Sequence, residues 1–212
     1  MSSTPLFVKI CGLQTERDVD AAVEAGADAV GFVFADSPRR VDAVTARRLA
    51  RRVPDHVMTV GVFRKQSVDE VRALAQAGAV DAIQLHGGEG PDYFTALRDD
   101  GRTLIRAAGC EEGAGRCGDL GEDLLLIDAP DPGSGTPWNW AAEHFTPPTG
   151  RWLLAGGLTP KNVQEAVCVT AAWGVDVSSG VEVHRGIKDP GLITSFLEAA
   201  RAARPPLEGR QP

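Results

Sequence analysis

Residues 25–34 have the sequence AGADAVGFVF, and residues 77–86 have the sequence AGAVDAIQLH. Each stretch passes from small residues that end a helix into a short apolar run, as expected of a strand buried on both faces. The similarity is compatible with a repeated unit, and the rest of the chain supplies more such runs. The eight predicted strands are Phe7–Ile10, Ala29–Phe34, Met58–Phe63, Ala82–Leu85, Leu104–Ala107, Leu124–Ile127, Trp152–Leu154 and Val175–Val177.

Amphipathic segments separate these strands, and several carry the residues that start or stop helices. Ser67 begins a capping box, and Thr159–Pro160 and Asp189–Pro190 each place an N-cap residue before a proline. Gly26 and Gly78 follow helical segments and are predicted as left-handed C-cap residues. Alternating strands and helices require parallel pairing with right-handed crossovers. Eight units in about 200 residues favour a closed (βα)8 TIM barrel over an open sheet.

We therefore predict the α/β class and one domain, a single (βα)8 barrel over residues 1–203. The stretch 109–121 contains five glycines, which leaves too few apolar residues for a full fifth helix, so we expect that helix to be shortened. Residues 204–212 contain two adjacent prolines and no apolar periodicity. They are predicted to form a frayed C-terminal tail.

The charge and composition exclude several classes of protein. The chain has 212 residues, 22 basic and 29 acidic, for a net charge of −7, with 43% hydrophobic residues. The basic residues are spread along the chain, so neither a nucleic acid nor a membrane partner is predicted. No apolar run is long enough to span a membrane, and the N-terminus lacks the features of a signal peptide, so a cytoplasmic protein is expected.

Cysteine and histidine spacing argues against a bound metal. The four cysteines contain no CxxC pair and the four histidines lie far apart, so we predict reduced thiols and no metal site. Gly133-Ser134-Gly135 lacks the lysine of a nucleotide-binding loop, and we interpret it as part of a mobile loop over the pocket. No cofactor is predicted, and the chain is expected to be a monomer or a homodimer.

The reaction site of such a barrel lies at the carboxyl ends of its strands. Gly156-Gly157 and Ser178-Ser179-Gly180 follow the last two predicted strands, where their backbone N–H groups can face one anion. Either segment alone could be a tight turn, but the two together favour a phosphate site. The sequence therefore predicts a small phosphorylated ligand.

Cys11 and Asp128 lie at two other predicted strand ends and form a candidate base and acid. The base must be a thiolate and the acid must be protonated, so the site has to shift both groups from their ordinary states. A phosphate would favour the protonated acid but oppose the thiolate, so Arg39 or Lys9 would have to offset it. A lone cysteine is more often a small buried apolar residue, whereas a buried aspartate needs a partner or a role.

Three further polar residues have alternative interpretations. Lys9 shares a strand face with Cys11, and a structural ion pair with Asp176 is favoured over a catalytic role. Arg39 either clamps a substrate carboxylate or is an exposed loop residue. His86 either donates a hydrogen bond to substrate or caps its strand.

The order of these motifs resembles that of the phosphoribosylanthranilate isomerase family over nearly the whole chain. The motifs that carry the resemblance are Val8–Leu13, Gly31–Phe34 with Ser37–Arg39, Val60–Phe63, Gln84–Gly87, Leu126–Asp128 with Gly133–Gly135, Ala155–Leu158 and Val175–Glu182.

The resemblance implies a cofactor-free Amadori rearrangement of N-(5-phosphoribosyl)anthranilate in tryptophan biosynthesis. It implies that Asp128 protonates the furanose ring oxygen, that the Cys11 thiolate removes the C2′ proton, and that Arg39 faces the anthranilate carboxylate. The other residues it implies are Gly156, Gly157, Ser179 and Gly180 around the phosphate, and Gln84, His86 and Asp176 along the pocket.

The chain departs from the family in the loop 129–140, which is shorter than usual and has Thr136 and Pro137 where a basic residue and a threonine are frequent.

Alternative functions are the histidine-pathway isomerase or a bifunctional relative, indoleglycerol-phosphate synthase, and a non-catalytic phosphate-binding barrel. Cys11 argues against the histidine-pathway enzyme, which uses two aspartates. The synthase would need a lysine and a glutamate that these strand ends do not supply, and a binding protein would need neither Cys11 nor Asp128.

Overall fold

The computed structural model describes residues 5–109, 115–129 and 145–203. Cys110, the predicted loop around Gly133–Gly135 and the predicted tail at 204–212 lie outside the described residues. Within the described part, no helix has the length and apolar character needed to cross a membrane.

Eight parallel strands form a closed barrel in which each strand pairs with the next and β8 pairs with β1, which confirms the predicted TIM barrel. Every predicted strand is present, with ends that differ by at most two residues. The strands are β1 (Phe7–Cys11), β2 (Ala29–Val33), β3 (Met58–Phe63), β4 (Ala82–Leu85), β5 (Thr103–Gly109), β6 (Leu124–Asp128), β7 (Trp152–Leu154) and β8 (Gly174–Val177).

Helices pack outside the barrel, and two of the predicted starts are confirmed. Ser67 and Glu70 form the capping box of α3, and Asp189 accepts a hydrogen bond from the backbone N–H of Leu192 at 2.9 Å to cap α6. The helices are α1 (Glu16–Glu24), α2 (Ala43–Ala50), α3 (Val68–Gly78), α4 (Pro91–Leu97), α5 (Val163–Thr170) and α6 (Pro190–Ala202).

One predicted helix start and one predicted helix end are wrong. The helix after β7 begins at Val163, because a turn precedes it. In this turn the carbonyl oxygen of Thr159 accepts from the N–H groups of Asn162 and Val163. Gly26 has the predicted left-handed backbone, but Gly78 is the last residue of α3 and Ala79 takes the left-handed conformation, with φ +54°. Gly78 serves packing instead, since a Cβ there would lie 2.8 Å from the Phe34 ring.

The connection between β5 and β6 contains no helix in its described residues 115–123, which agrees with the predicted shortening. Strand alternation directs Ile105 and Ala107 into the barrel and Arg106 outward. There Nε of Arg106 lies 2.8 Å from a carboxylate oxygen of Glu122, whose side chain is fully buried. An ion pair thus covers the strand where a helix would otherwise pack.

A short antiparallel hairpin that the sequence did not predict follows β8. It consists of β9 (Glu182–His184) and β10 (Ile187–Lys188), joined through Gly186 at φ +85°. The hairpin follows the carboxyl end of β8, so it lies at the rim where the candidate site residues meet. Its first and last residues, Glu182 and Lys188, both enter that site.

The close packing of β8 against its two neighbouring strands leaves no room for a side chain at Gly174, the first residue of β8. A Cβ at this position would lie 2.6 Å from Cδ2 of Leu153 and 2.7 Å from the carbonyl oxygen of Phe7. We expect Gly174→Ala to lower the free energy of unfolding by about 1–3 kcal/mol, because the backbone of β1 must shift. Urea unfolding measures this, with the exposed Val44→Ala as a control expected within about 0.5 kcal/mol of wild type. Equal stability of the two variants would contradict the packing argument.

Candidate active site

The predicted site residues on the strands lie on the inner face of the barrel, near the carboxyl ends of the strands. Lys9 and Cys11 lie on β1, Asp128 ends β6, and Asp176 lies on β8. Since β7 and β8 separate β6 from β1 around the barrel, Cys11 and Asp128 approach the rim from different sides. Gln84 lies on β4, and the other site residues follow strand ends.

Lys9 and Asp176 form the predicted buried ion pair. The two residues are direct neighbours across the β1–β8 pairing, and Nζ lies 2.8 Å from Oδ1 of Asp176. Burial lowers the pKa of the Lys9 ammonium, but the charges and hydrogen bonding of Asp176 and Cys11 together outweigh it and the net pKa is raised. Lys9 therefore stays protonated beside Cys11.

The thiol of Cys11 is almost completely buried, and this burial raises its pKa above the ordinary value of 9.0. The cations of Lys9 and Lys188 lower the pKa and offset part of the increase, whereas the charge of Asp176 adds to it. A Cβ on Gly31 of β2 would lie 2.9 Å from Sγ, so only glycine leaves room for the thiol. In the free protein at neutral pH, Cys11 is mainly a thiol.

Gln84, His86 and Asp128 form a chain of polar groups across the barrel. Nε2 of Gln84 lies 3.2 Å from Nδ1 of His86. Nε2 of His86 lies 3.2 Å from Oδ2 of Asp128, but the angle is too poor for a hydrogen bond. Oε1 of Gln84 has no partner among the described residues either, while Ala129 donates its backbone N–H to Oδ1 of Asp128 at 2.8 Å.

This chain of groups suits either protonation state of Asp128. When the Gln84 amide donates to Nδ1, the imidazole proton is on Nε2 and faces an ionised Asp128. Rotating the amide by half a turn makes Oε1 the acceptor from Nδ1–H, and the lone pair of Nε2 then faces a protonated Asp128. One amide rotation thus matches the gain or loss of a proton at Asp128.

Arg39 is buried, which excludes the alternative of an exposed loop arginine. Its Nε and Nη2 donate to the two carboxylate oxygens of Glu182 at 2.6 and 3.0 Å. Lys188 donates to Oε1 of Glu182 at 2.7 Å and to the carbonyl oxygen of Ser178 at 2.8 Å. Burial raises the pKa of the Glu182 carboxyl, but the hydrogen bonds from Arg39, Lys188 and the Gly186 backbone, together with the charge of Lys188, outweigh it and hold the pKa at about 2.

Sequence reasoning gave no role to Glu182 or Lys188. The only sequence signal was that Glu182 directly follows the Ser-Ser-Gly-Val run of the predicted anion site. Lys188 precedes the Asp189–Pro190 helix start, and nothing in that pattern indicates a site residue. The hairpin folds back and brings the two side chains together, so the pairing depends on an element the sequence did not reveal.

The structure brings the two predicted phosphate segments together. Gly156 and Gly157 have φ of +85° and +67°, a backbone that favours glycine. A Cβ on Gly180 would lie 1.7 Å from the carbonyl oxygen of Leu158, so the turn after β8 rests directly on the turn after β7. Asn162 donates to the carbonyl of Gly157 at 3.0 Å and holds this turn.

The family model for N-(5'-phosphoribosyl)anthranilate (PRA) isomerase matches residues 8–199. The chain belongs to the PRA isomerase family. It is therefore an isomerase built on the barrel of that family.

Relatives of this chain cover nearly all of it. The N-(5'-phosphoribosyl)anthranilate isomerase of Desulforudis audaxviator is 40% identical over 205 residues, which are 93% of this chain and 98% of the relative. The crystal structure of TrpF from Jonesia denitrificans has a TM-score of 0.85 at 42% identity and covers 93% of this chain and 98% of that one. A third PRA isomerase was crystallised with reduced 1-(o-carboxyphenylamino)-1-deoxyribulose 5-phosphate. It has a TM-score of 0.76 at 31% identity, over 92% of this chain and 98% of that one.

The low pKa of Glu182 predicts how stability depends on pH. The folded state lowers this pKa from 4.5 to about 2, so ionised Glu182 stabilises the fold above pH 4.5 and the contribution is lost as the pH falls toward 2. We expect the difference in unfolding free energy between wild type and Glu182→Gln to shrink as the pH falls below 4.5. Urea unfolding at a series of pH values measures it, and a difference that does not change with pH would contradict the ionised cluster.

Proposed function

We propose that this PRA isomerase converts N-(5-phosphoribosyl)anthranilate into 1-(2-carboxyphenylamino)-1-deoxyribulose 5-phosphate with Asp128 as general acid and Cys11 as general base. The observation that carries the proposal is their placement at the inner rim. Each has its own partners there, His86 for Asp128 and Lys9 with Lys188 for Cys11. Acid–base catalysis of this reaction needs two such groups within one pocket.

The first proposed step opens the sugar ring. Asp128 gives its proton to the furanose ring oxygen, the bond from that oxygen to C1′ breaks, and the nitrogen lone pair forms a protonated Schiff base. The carboxylate that remains lies 3.2 Å from Nε2 of His86, and in one of the two tautomers of His86 this nitrogen carries a proton that faces the negative charge. The polar chain through Gln84 therefore supports the change in charge at Asp128.

The second proposed step removes the C2′ proton. The Cys11 thiolate takes this proton, and the electron pair forms a double bond to C1′ while the nitrogen recovers its lone pair. The enolamine then becomes the ketone when C1′ gains a proton and the C2′ hydroxyl loses one. Each step is a proton transfer, so the proposal includes no cofactor and no metal.

The proposed binding groups follow from charge and position. The backbone N–H groups of Gly157, Ser179 and Gly180 would hold the phosphate together with Gly156 and Ser178, since these segments meet at the rim. Arg39 would bind the anthranilate carboxylate, and Gln84, His86 and Asp176 would line the pocket.

The partner proposed for this chain is a small phosphorylated molecule. The PRA isomerase of Thermotoga maritima is described as dimeric and has also been crystallised as monomers generated from the dimer. For this chain, a monomer or a homodimer remains the prediction, which light scattering after size exclusion would decide. A cytoplasmic location also remains a prediction.

Replacing either proposed catalytic group tests the mechanism. We expect Cys11→Ser and Asp128→Asn each to lower kcat/KM by about 10² to 10⁴-fold, the usual cost of removing a general base or acid. The assay follows the loss of substrate fluorescence in EDTA with no added cofactor. Cys117→Ser is the matched control, because Cys117 donates a weak hydrogen bond to the Asp123 carbonyl outside the site and serine keeps that donor. Near-full activity of either site variant would overturn its assigned role, and an inactive but folded wild type would overturn the function.

The raised pKa of Cys11 predicts a rising pH–rate profile for the residual activity of Asp128→Asn. This variant has no acid group at position 128 to lose its proton, and only the thiolate is a base. We therefore expect its log kcat/KM to rise with a slope approaching one from pH 7 to the ordinary thiol pKa of 9.0 and beyond. The residual activity of Cys11→Ser should lack this rise. An Asp128→Asn profile that is flat over the same range would show that its rate does not depend on the fraction of Cys11 thiolate.

A further inference from the structure

Among the described residues, the Glu182 carboxylate is the most heavily hydrogen-bonded buried acid at the rim of the site. It accepts from Nε and Nη2 of Arg39 at 2.6 and 3.0 Å, from Nζ of Lys188 at 2.7 Å and from the backbone N–H of Gly186 at 3.0 Å. Its side chain is 4% exposed. Four donors satisfy nearly all the acceptor positions of a carboxylate, so Glu182 has little capacity left to bind a ligand itself.

The donors to Glu182 belong to two different parts of the site. Arg39 is in the loop after β2, where the proposed carboxylate clamp lies. Lys188 also donates to the carbonyl oxygen and Oγ of Ser178, at 2.8 and 3.2 Å, and Ser178 begins the proposed phosphate turn. Glu182 thus links the groups proposed for the two anionic ends of the substrate.

The cluster carries one more positive charge than negative. Arg39 and Lys188 are cations and Glu182 is the only acid that either contacts among the described residues. Uncompensated buried charge is costly, so a cluster with a net charge of +1 favours the arrival of an anion. The excess of positive charge is local, since the chain as a whole has a net charge of −7.

Arg39 is held so that one edge of its guanidinium remains available. Glu182 takes Nε and one N–H of Nη2, and Nη1 donates no hydrogen bond to any residue that the structure describes. Gly12, with φ +77°, packs against the stem, where a Cβ would lie 2.7 Å from Cδ of Arg39. The free edge is therefore directed by contacts at the stem and at the opposite edge.

We propose that Glu182 is a positioning residue that orients Arg39 so that its free edge forms a bidentate contact with the carboxylate of the substrate. This inference rests on the proposed function, which assigns that carboxylate to Arg39. Orientation matters because bidentate pairing of a guanidinium with a carboxylate requires two parallel hydrogen bonds. An arginine free to rotate would lose entropy on binding and pair less well.

Two stable ligands that differ only in the carboxylate test the proposal. Reductive amination of ribose 5-phosphate with anthranilate gives 1-(2-carboxyphenylamino)-1-deoxyribitol 5-phosphate, and aniline gives the analogue without the carboxylate. Titration calorimetry yields a Kd for each. The carboxylate ratio is the Kd of the analogue divided by the Kd of the carboxylate ligand. In wild type we expect a ratio of about ten to one hundred, the usual strength of hydrogen bonds to charged groups.

We expect Glu182→Gln to lower the carboxylate ratio by about fivefold or more, with the Kd of the analogue changing less than about threefold. A glutamine offers one acceptor oxygen, and its NH₂ group cannot face a guanidinium or an ammonium, so Arg39 loses an anchor. Glu122→Gln is the matched control, because it removes the same charge from a buried arginine pair on the outside of the barrel. This control should keep the wild-type ratio.

The outcomes separate the inference from the function on which it rests. An unchanged or higher ratio in Glu182→Gln would overturn the inference, as would an equal loss of affinity for both ligands, which marks a purely structural role. Arg39→Met should reduce the ratio to about one. If Arg39→Met keeps the wild-type ratio, the Arg39 assignment itself fails and the inference fails with it. If Glu182→Gln does not fold, Glu182→Asp replaces it. Its side chain is shorter, so an unchanged carboxylate ratio in this variant would overturn the inference.

Discussion

The buried ion pair between Lys9 and Asp176 joins the first and last strands of the barrel. Each charge would be costly inside the protein without the other, so the pair makes the β1–β8 register the one that satisfies both. That register also decides where the next inward residues fall, since side chains on a strand alternate between its two faces. Cys11 and Ser178, two positions further on, therefore reach the same side of the rim.

Electrostatics at this rim are arranged around a few shared charges. Lys9 stays protonated through Asp176 and lowers the pKa of Cys11, although burial still keeps that pKa high. Lys188 adds to the same field while it holds Ser178, and Glu182 neutralises only one of the two cations beside it. The site thus combines a local excess of positive charge, which suits anionic ligands, with a buried thiol whose burial keeps it mainly protonated in the free protein.

Several glycines are needed because neighbouring atoms pack closely against them, and not only because they allow turns. Gly31 makes room for Cys11, and Gly180 lets the turn after β8 touch the backbone after β7. Gly78 was expected to end a helix but instead leaves space for Phe34, while Ala79 adopts the left-handed conformation. A sequence shows that a glycine is present, but only the packing shows which of these two roles it has.

The sequence by itself determined the barrel, because the eight short apolar runs and the helix signals between them allow few other arrangements. It also indicated Cys11, Asp128 and the two phosphate segments, since they directly follow predicted strands, and it indicated the Lys9–Asp176 pair through strand alternation. Only the tertiary structure decided the partner of Arg39. That partner, Glu182, lies with Lys188 on a hairpin too short to leave a periodic signal, and it meets Arg39 across 143 residues of chain. Contacts between segments so far apart in sequence depend on how the strands close into a barrel, and no local pattern records that closure.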